Sequence, residues 1–350
     1  MHILINDFIG GVLDRGIPLY VRNLIDGLKA EGVRVSVVRA PKICRKLPRS
    51  LFYLIAVAFE QLAVPVIGLV SRSDLTLYPY NSAALIDLAT GRGRIVVHDL
   101  EPLKRAMSPS KLYYLACYRV LRALDRAIFT ISELTRKRLL ESGLFGRGPI
   151  EVLPNTFYAF EELLQAAVPI HAADKRILLC TGSTANKDLE SIVSDYLPKV
   201  LAKGFCVSIL GLHKTTDAPK LAALATFLES GQLRLCGQLS DRDVAAEYRR
   251  HAIIWVHSLR EGFGRCVVEA RLAGRRVLCT DIAEFASLRD GGVYLYGNSA
   301  ELIALLDRFI DCDEPTEQYR GYPYRDMLRQ ALHVAFGKEL VRPNAPINAG

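Results

Sequence analysis

The sequence lacks any CxxC pair, although it carries eight cysteines. They stand singly at Cys44, Cys117, Cys180, Cys206, Cys236, Cys266, Cys279 and Cys312. That spacing argues against a zinc site, and mostly apolar surroundings predict free, buried thiols in a reducing compartment. The opening MHILIN has no basic n-region and no small-residue cleavage site, so no signal peptide is expected and the predicted location is cytoplasmic. Aromatic and basic residues do not interleave, and no nucleic-acid-binding module is recognisable, which argues against nucleic acid as a partner. No convincing DxD metal motif is found. Repeats and low-complexity tracts are missing too. The stretch from Gly32 to Phe59 contains no acidic residue at all.

What is present points to a well-packed chain of two domains. It has 350 residues, 50% hydrophobic composition and a net charge of +8, too long for one average domain and too apolar for disorder. The charge is uneven. Residues 1–165 hold 22 Lys/Arg against 15 Asp/Glu, while the remainder holds 23 against 22. The excess peaks at Arg34, Arg39, Lys42, Arg45, Lys46 and Arg49, a cluster suited to an anionic membrane surface or an acidic substrate. It runs into LFYLIAVAFEQLAVPVIGLV, residues 51–70. That run is long enough for a membrane span, but Glu60, Gln61 and Pro65 interrupt it. We read it as a buried helix of the first domain that grazes a membrane at most.

Short apolar runs alternate with helical patterns along the whole chain. HILIN leads through Gly10-Gly11 to a helical pattern from Pro18 to Ala30, then to RVSVVRA. Strand-like runs follow at 74–79, 94–99 and 127–132, with helices over 110–124 and 133–141 between and after them. After Pro169 the pattern restarts with RILLCTG (176–182), and further strands are read at 205–211, 233–238, 253–258, 276–281 and 293–297. Such alternation predicts α/β architecture with two doubly wound parallel sheets. The domains are expected at 1–165 and 166–318, with a helix near 319–341 packing back on the first. Ligands of such sheets sit beyond the carboxyl ends of the strands, and the informative motifs all fall there.

The densest motif is VHSLREGFGRCVVEARLAGRRVLCTDIAEF, Val256 to Phe285. Ser258, Glu261-Gly262-Phe263-Gly264, Glu269-Ala270, Ala273-Gly274 and Val277 fall at the spacing S-x-x-E-G-F-G-x-x-x-x-E-A-x-A-x-G-x-P-V, with Arg276 in place of the Pro. This resembles the retaining glycosyltransferases of family 4, which have the GT-B fold: two Rossmann-like domains with an interdomain cleft. The first domain of that fold receives the acceptor and the second binds the nucleotide-sugar. Gly262 and Gly264 let backbone approach a ligand and open a helix whose N–H groups favour a diphosphate. By resemblance Glu269 accepts hydrogen bonds from the ribose, Glu261 meets the donor sugar as a catalytic residue, and Phe263 and Arg265 lie in the donor loop.

Other segments resemble the family in the same order. Gly10 and Gly11 follow the first strand as the family's glycine loop does. His98-Asp99-Leu100 with Pro102 is similar to the HDLIP element of one subset, which implies His98 as a catalytic contact to the donor sugar and places Asp99, with Arg15, on the acceptor side. ISELTRKRL and VLPN resemble further family segments, Thr156 replacing a usual Gly. Gly182, taken with the base-binding region, and Lys187 resemble G-x-x-x-x-R-K-N-L in a loop one residue shorter, where the lysine neutralises the donor diphosphate. Asn186 stands where the arginine is expected, and Arg15, Arg260 or Arg265 are candidates to replace it. Gly237 and Gln238, in LRLCGQLSDRDV, match the segment bordering the base.

The resemblance implies transfer of a hexose from a nucleoside-diphosphate sugar, GDP-mannose being favoured by the HDL-x-P subset alone, to a hydroxyl of a glycan with retention. No cofactor and no metal are expected. The acceptor implied is a glycan, lipid-linked, in surface polysaccharide synthesis, with the protein peripheral at the inner face of the cytoplasmic membrane. A GT-B nucleotide-sugar epimerase and a silent nucleotide-sugar-binding subunit are the alternatives.

Overall fold

The computed structural model describes residues 1–12, 16–100, 103, 106–164, 175–213, 215–311 and 321–336. They form two compact units. One holds Met1–Tyr158 and the segment from Pro323, the other Ala159–Tyr322.

The first unit contains β1 (His2–Asn6), β2 (Arg34–Val38), β3 (Leu75–Tyr78), β4 (Gly93–Val97), β5 (Ile128–Thr130) and β6 (Ile150–Val152). They make one parallel sheet in the order β2-β1-β3-β4-β5-β6. All five residues of β1 are buried, as a strand covered on both faces requires. The helices are α1 (Ile17–Ala30), α2 (Arg49–Val70), α3 (Leu85–Thr90), α4 (Pro109–Ala123) and α5 (Glu133–Ser142). α1 buries Tyr20, Val21, Leu24, Ile25 and Leu28, one stripe of an amphipathic helix. α4 and α5 begin at Ser108 and Ser132, whose hydroxyls accept the Lys111 and Thr135 amides, the usual N-cap arrangement. α6 (Tyr158–Leu164) follows β6.

The second unit's strands are β7 (Arg176–Cys180), β8 (Cys206–Leu210), β9 (Leu233–Gly237), β10 (Ile253–Val256), β11 (Arg276–Thr280) and β12 (Val293–Tyr296). They too are parallel, in the order β12-β11-β10-β7-β8-β9. A helical run over 189–202 includes a π-helical turn at Ile192–Tyr196. Then come α7 (Ala225–Glu229), α8 (Asp241–Arg250), α9 (Arg265–Leu272), α10 (Ala283–Ala286) and α11 (Ser299–Asp311). Alternate strand residues feed opposite layers. Ile177, Leu179, Ile253, Trp255 and Leu278 enter one core cluster, while Leu178, Cys180, Ile254, Val256, Val277 and Cys279 enter the other, the two-residue period of a strand buried on both faces.

The last described helix, α12 (Tyr324–Phe336), belongs to the first unit. Tyr324 meets the rings of Phe157 and Tyr158, and Arg329 Nε donates to Glu31 at 2.7 Å.

Two expectations need correcting. Residues 51–70 do form one helix, but only one side of it is buried. The free thiols are less uniformly buried than expected. Cys117, Cys180, Cys236 and Cys279 are buried, Cys44 and Cys266 partly so, and Cys206 is exposed. The reason is position: Cys206 opens a strand and Cys266 lies in a helix's first turn.

Candidate functional site

Chain order in the second sheet reverses between β7 and β10, which lie side by side with Cys180 opposite Val256. Loops leaving such a pair diverge and open a crevice beyond the strand ends. Here they are 181–188 and 257–264. They are tied together by backbone: Leu259 N and Ser258 Oγ both donate to the Asn186 carbonyl, at 2.7 and 2.9 Å, and Asn186 Nδ2 donates to the Arg260 carbonyl at 3.1 Å. Asn186, where an arginine was expected, is thus a strut between two loops.

This strut brings Lys187 and Glu261 together as a half-buried ion pair. Burial alone would depress the Lys187 pKa; the Glu261 carboxylate, with lesser contributions from Cys266 and Cys180, leaves it raised. Gly182 lies against the same lysine, since a Cβ there would meet Lys187 Cγ at 3.8 Å. Gly264 has φ +92° and forms the N-cap of α9, and a Cβ on it would stand 2.9 Å from the Phe285 ring. Only glycine satisfies both demands. Gly262 precedes this turn, and Phe263 is buried with its ring 5.1 Å from that of Tyr322.

Glu269 sits in α9, buried, and is held at both oxygens. Arg265 Nη2 donates to Oε1 at 2.8 Å and the Tyr248 hydroxyl to Oε2 at 3.2 Å. The i,i+4 spacing of Arg265 and Glu269 puts them on one helix face. Tyr248 comes from α8 and also lies 3.6 Å from Cys180 Sγ. A hydrogen bond from Cys180 lowers the Cys266 pKa, and the same bond with burial raises that of Cys180. Gly237 has φ +75° and ends the edge strand β9, two strands from β7, and Gln238 after it is exposed. Of the arginines considered for phosphate, Arg265 bonds Glu269, Arg260 is exposed on the β10 loop, and Arg15 lies outside the described residues.

Sequence reasoning missed a second layer beneath these loops. Trp255 Nε1 donates to the Tyr296 hydroxyl at 2.6 Å, and that hydroxyl is also hydrogen-bonded with His257 Nδ1 at 2.7 Å. The other ring nitrogen of His257, Nε2, faces Asp188 Oδ2 at 3.9 Å. Burial pushes the His257 pKa down to about 4. The signal available was adjacency: His257 precedes Ser258 and Asp188 follows Lys187. Nothing in the spacing linked either to Tyr296.

In the first unit the reversal lies between β1 and β3. Asp7, just past β1, accepts from Tyr80 OH at 2.6 Å and from Arg39 Nε at 2.7 Å. Gly10 lies in a 3-10 turn, Ile9–Gly11, where any Cβ would collide with the Asp7 carboxylate and the Tyr80 hydroxyl. His98 follows β4. Its backbone N–H donates to Asn81 Oδ1 at 2.8 Å, Nε2 donates to the Pro79 carbonyl at 2.9 Å, and the Tyr20 ring meets its edge. It is buried, and burial lowers its pKa to about 4. Asp99, next to it, is half-buried, whereas Pro102 lies outside the described residues. Among the described residues no three His, Cys, Asp or Glu side chains gather as a metal site.

Residues 175–311 match the family model described as glycosyl transferases group 1. A search of curated protein sequences finds no match. Solved structures of similar fold include sucrose-phosphate synthase from Thermosynechococcus elongatus, at 15% identity, 95% of this chain, 94% of that one and a TM-score of 0.63. Anabaena HepE in complex with UDP and glucose aligns at 17% identity over 95% of this chain and 98% of its own, TM-score 0.61. UDP-GlcNAc 2-epimerase from Methanocaldococcus jannaschii aligns at 11% identity over 96% and 99%, TM-score 0.60. The family match over the second unit, on a fold shared along nearly the whole chain, supports a GT-B glycosyltransferase.

Proposed function

We propose that this protein is a retaining glycosyltransferase of family 4. It moves a hexose from a nucleoside-diphosphate sugar, GDP-mannose in the first instance, to a hydroxyl of a lipid-linked glycan in surface polysaccharide synthesis. The observation that carries this reading is the β7–β10 reversal, which gathers Lys187, Glu261, Gly262–Arg265 and Glu269 on two tied loops and one helix.

Each group has work to do. Lys187 and the positive end of the α9 dipole neutralise the diphosphate without a metal. Glu269, already held by Tyr248 and Arg265, presents its carboxylate to the ribose hydroxyls. The Lys187–Glu261 pair opens on donor binding, so lysine turns to phosphate and glutamate to the sugar. Front-face attack follows, the departing phosphate taking the acceptor's proton. His98, kept neutral by burial, is available to a sugar only as an uncharged group.

Incubating the protein with GDP-mannose, UDP-glucose and UDP-GlcNAc, in EDTA, tests this. Release of the nucleoside diphosphate is the expected outcome. Conversion of a donor into its epimer favours the epimerase reading, which the likeness to a 2-epimerase keeps in view. Binding without turnover favours a silent subunit.

A further inference from the structure

α2 is turned inside out. Its buried side carries Phe52, Ala56, Glu60, Val64 and Gly68, one every fourth residue. Glu60 is wholly enclosed, accepting from Asn6 Nδ2 at 2.7 Å and from Tyr113 OH at 2.6 Å, and burial raises its pKa. The outward side carries Leu51, Leu54, Ala58, Leu62, Val66 and Val70. Leu54 is 67% exposed, Leu62 73% and Val70 79%. The spacing of three or four residues makes this one continuous aliphatic stripe, about 30 Å long at 1.5 Å per residue. The helix's one carboxylate faces the core, and the stripe has no charged residue.

The patch extends sideways. Gln61 accepts from Leu85 N–H and donates to the Ala83 carbonyl, and its amide also meets Tyr113 OH. Next to Leu85 and Tyr113 stand Ile86 and Leu112, both exposed. At the helix's start the turn Lys42–Lys46 is fixed to it, since Cys44 and Leu47 pack on Phe8, Phe52 and Ala56. From that turn Lys42, Ile43, Arg45 and Lys46 project exposed. An apolar stripe this long faces water at a cost and marks a docking surface.

We propose that α2 with the Lys42–Lys46 turn is a docking surface for an anionic lipid bilayer. The helix lies in the interface plane, Leu54, Leu62, Val66 and Val70 sink among the acyl chains, and Lys42, Arg45 and Lys46 meet the headgroups. A transmembrane span is ruled out by the buried side, which packs on β1, β3 and α3 through an enclosed Glu60. A second copy fits the surface poorly. A two-fold contact sets a patch against itself, and this rim is of one sign, with no acid between Gly32 and Phe59 to answer the cations. The proposal deepens the lipid-linked acceptor of the proposed function. Its readout is lipid partition, which a failure of sugar transfer leaves untouched.

The test is co-sedimentation of the full chain with phosphatidylcholine vesicles, with and without phosphatidylglycerol, at low and high salt. The expected result is partition onto the anionic vesicles that weakens with salt and falls about fivefold for each of Lys42→Ser and Lys46→Ser. The triple variant Leu62→Asn, Val66→Asn, Val70→Asn should lose partition more than about tenfold, since each change removes aliphatic burial. Its thermal midpoint should stay at the wild-type value, because these side chains touch water in the free protein. Three outcomes overturn the proposal: wild-type protein left in the supernatant at low salt, equal binding to neutral and anionic vesicles, or a dimer by light scattering that the triple variant makes monomeric.

Discussion

Glu269 offers the sharpest separation between binding and folding. In the free protein its two oxygens are taken by Arg265 at 2.8 Å and Tyr248 at 3.2 Å. Replacing it with alanine therefore does three things. It removes the ribose acceptor, worth about 1.5–3 kcal/mol for a charged hydrogen bond, so nucleotide affinity should fall roughly 10- to 150-fold. It also takes the carboxylate from the hydroxyl of Tyr248, which is fully buried and left with the thiols of Cys180 and Cys266. That costs folding about 1–3 kcal/mol. And it releases Arg265, one turn earlier at the start of the same helix, to engage a diphosphate and mask part of the loss. Glu269→Gln separates these effects, because the amide oxygen still accepts from Tyr248 while the charge is gone. The assay is calorimetric titration with GDP and UDP, paired with urea unfolding, on Glu269→Gln, Glu269→Ala, Arg265→Ala and the double alanine variant. The cycle isolates the masking term. Unchanged nucleotide affinity in Glu269→Gln and in the double variant would refute the ribose assignment.

Four further outcomes are expected. Glu261→Gln should depress transfer while leaving nucleotide affinity equal or tighter, because Lys187 is freed. Lys187→Ala should weaken donor binding; activity in both the wild type and these variants is read in EDTA, and a strict Mg²⁺ requirement would defeat the account of phosphate neutralisation. His98 and His257 both have folded pKa values near 4, below the usual 6.5. The unfolded chain binds protons first, so their stabilising effect is complete above about pH 6.5 and shrinks as pH falls towards 4, by roughly 2 kcal/mol each at pH 5. Unfolding midpoints taken at pH 7 and pH 5 should converge for His98→Gln and His257→Gln relative to wild type. Gly264→Ala forces a side chain into φ +92° against Phe285, at a cost of about 1–3 kcal/mol, and should lower nucleotide affinity by displacing the start of α9; wild-type affinity and midpoint would show that the turn tolerates a Cβ.

The parallel sheets were legible because their strands are continuous apolar runs between helical periods, and β10 and β11 lie where IIWVHS and RVLCTD put them. The glycine turn at Gly264 was legible because its chemistry is local. What escaped depended on distant chain. A run such as 51–70 reads the same whether its aliphatic side faces core or water, and only the bonds from Asn6 and Tyr113 reveal that the carboxylate is the buried member. Nothing in the sequence sets Tyr248 and Tyr296 apart from other aromatics. Their hydroxyls acquire a task only when α8 lies against α9 and β12 comes near β10. Asn186 read as a departure from a family pattern; its role as a strut needs the Arg260 carbonyl, 74 positions on.

The placement of α12 bears on how the protein is made. Glu31, buried at the end of α1, is satisfied by Tyr158 and by Arg329, a residue 298 positions later. A ribosome finishes Tyr158 and then synthesises the whole second unit before Tyr324 appears, a delay of roughly ten to thirty seconds at ordinary elongation rates. During that interval the earlier half of the molecule waits with the ledge between Phe157, Tyr158 and Glu31 uncovered, while the later half already has every strand it needs. Vectorial synthesis therefore completes the two units in the reverse of their order along the chain. A nascent polypeptide that stops short of Tyr324 would carry an intact second unit and an unfinished first one.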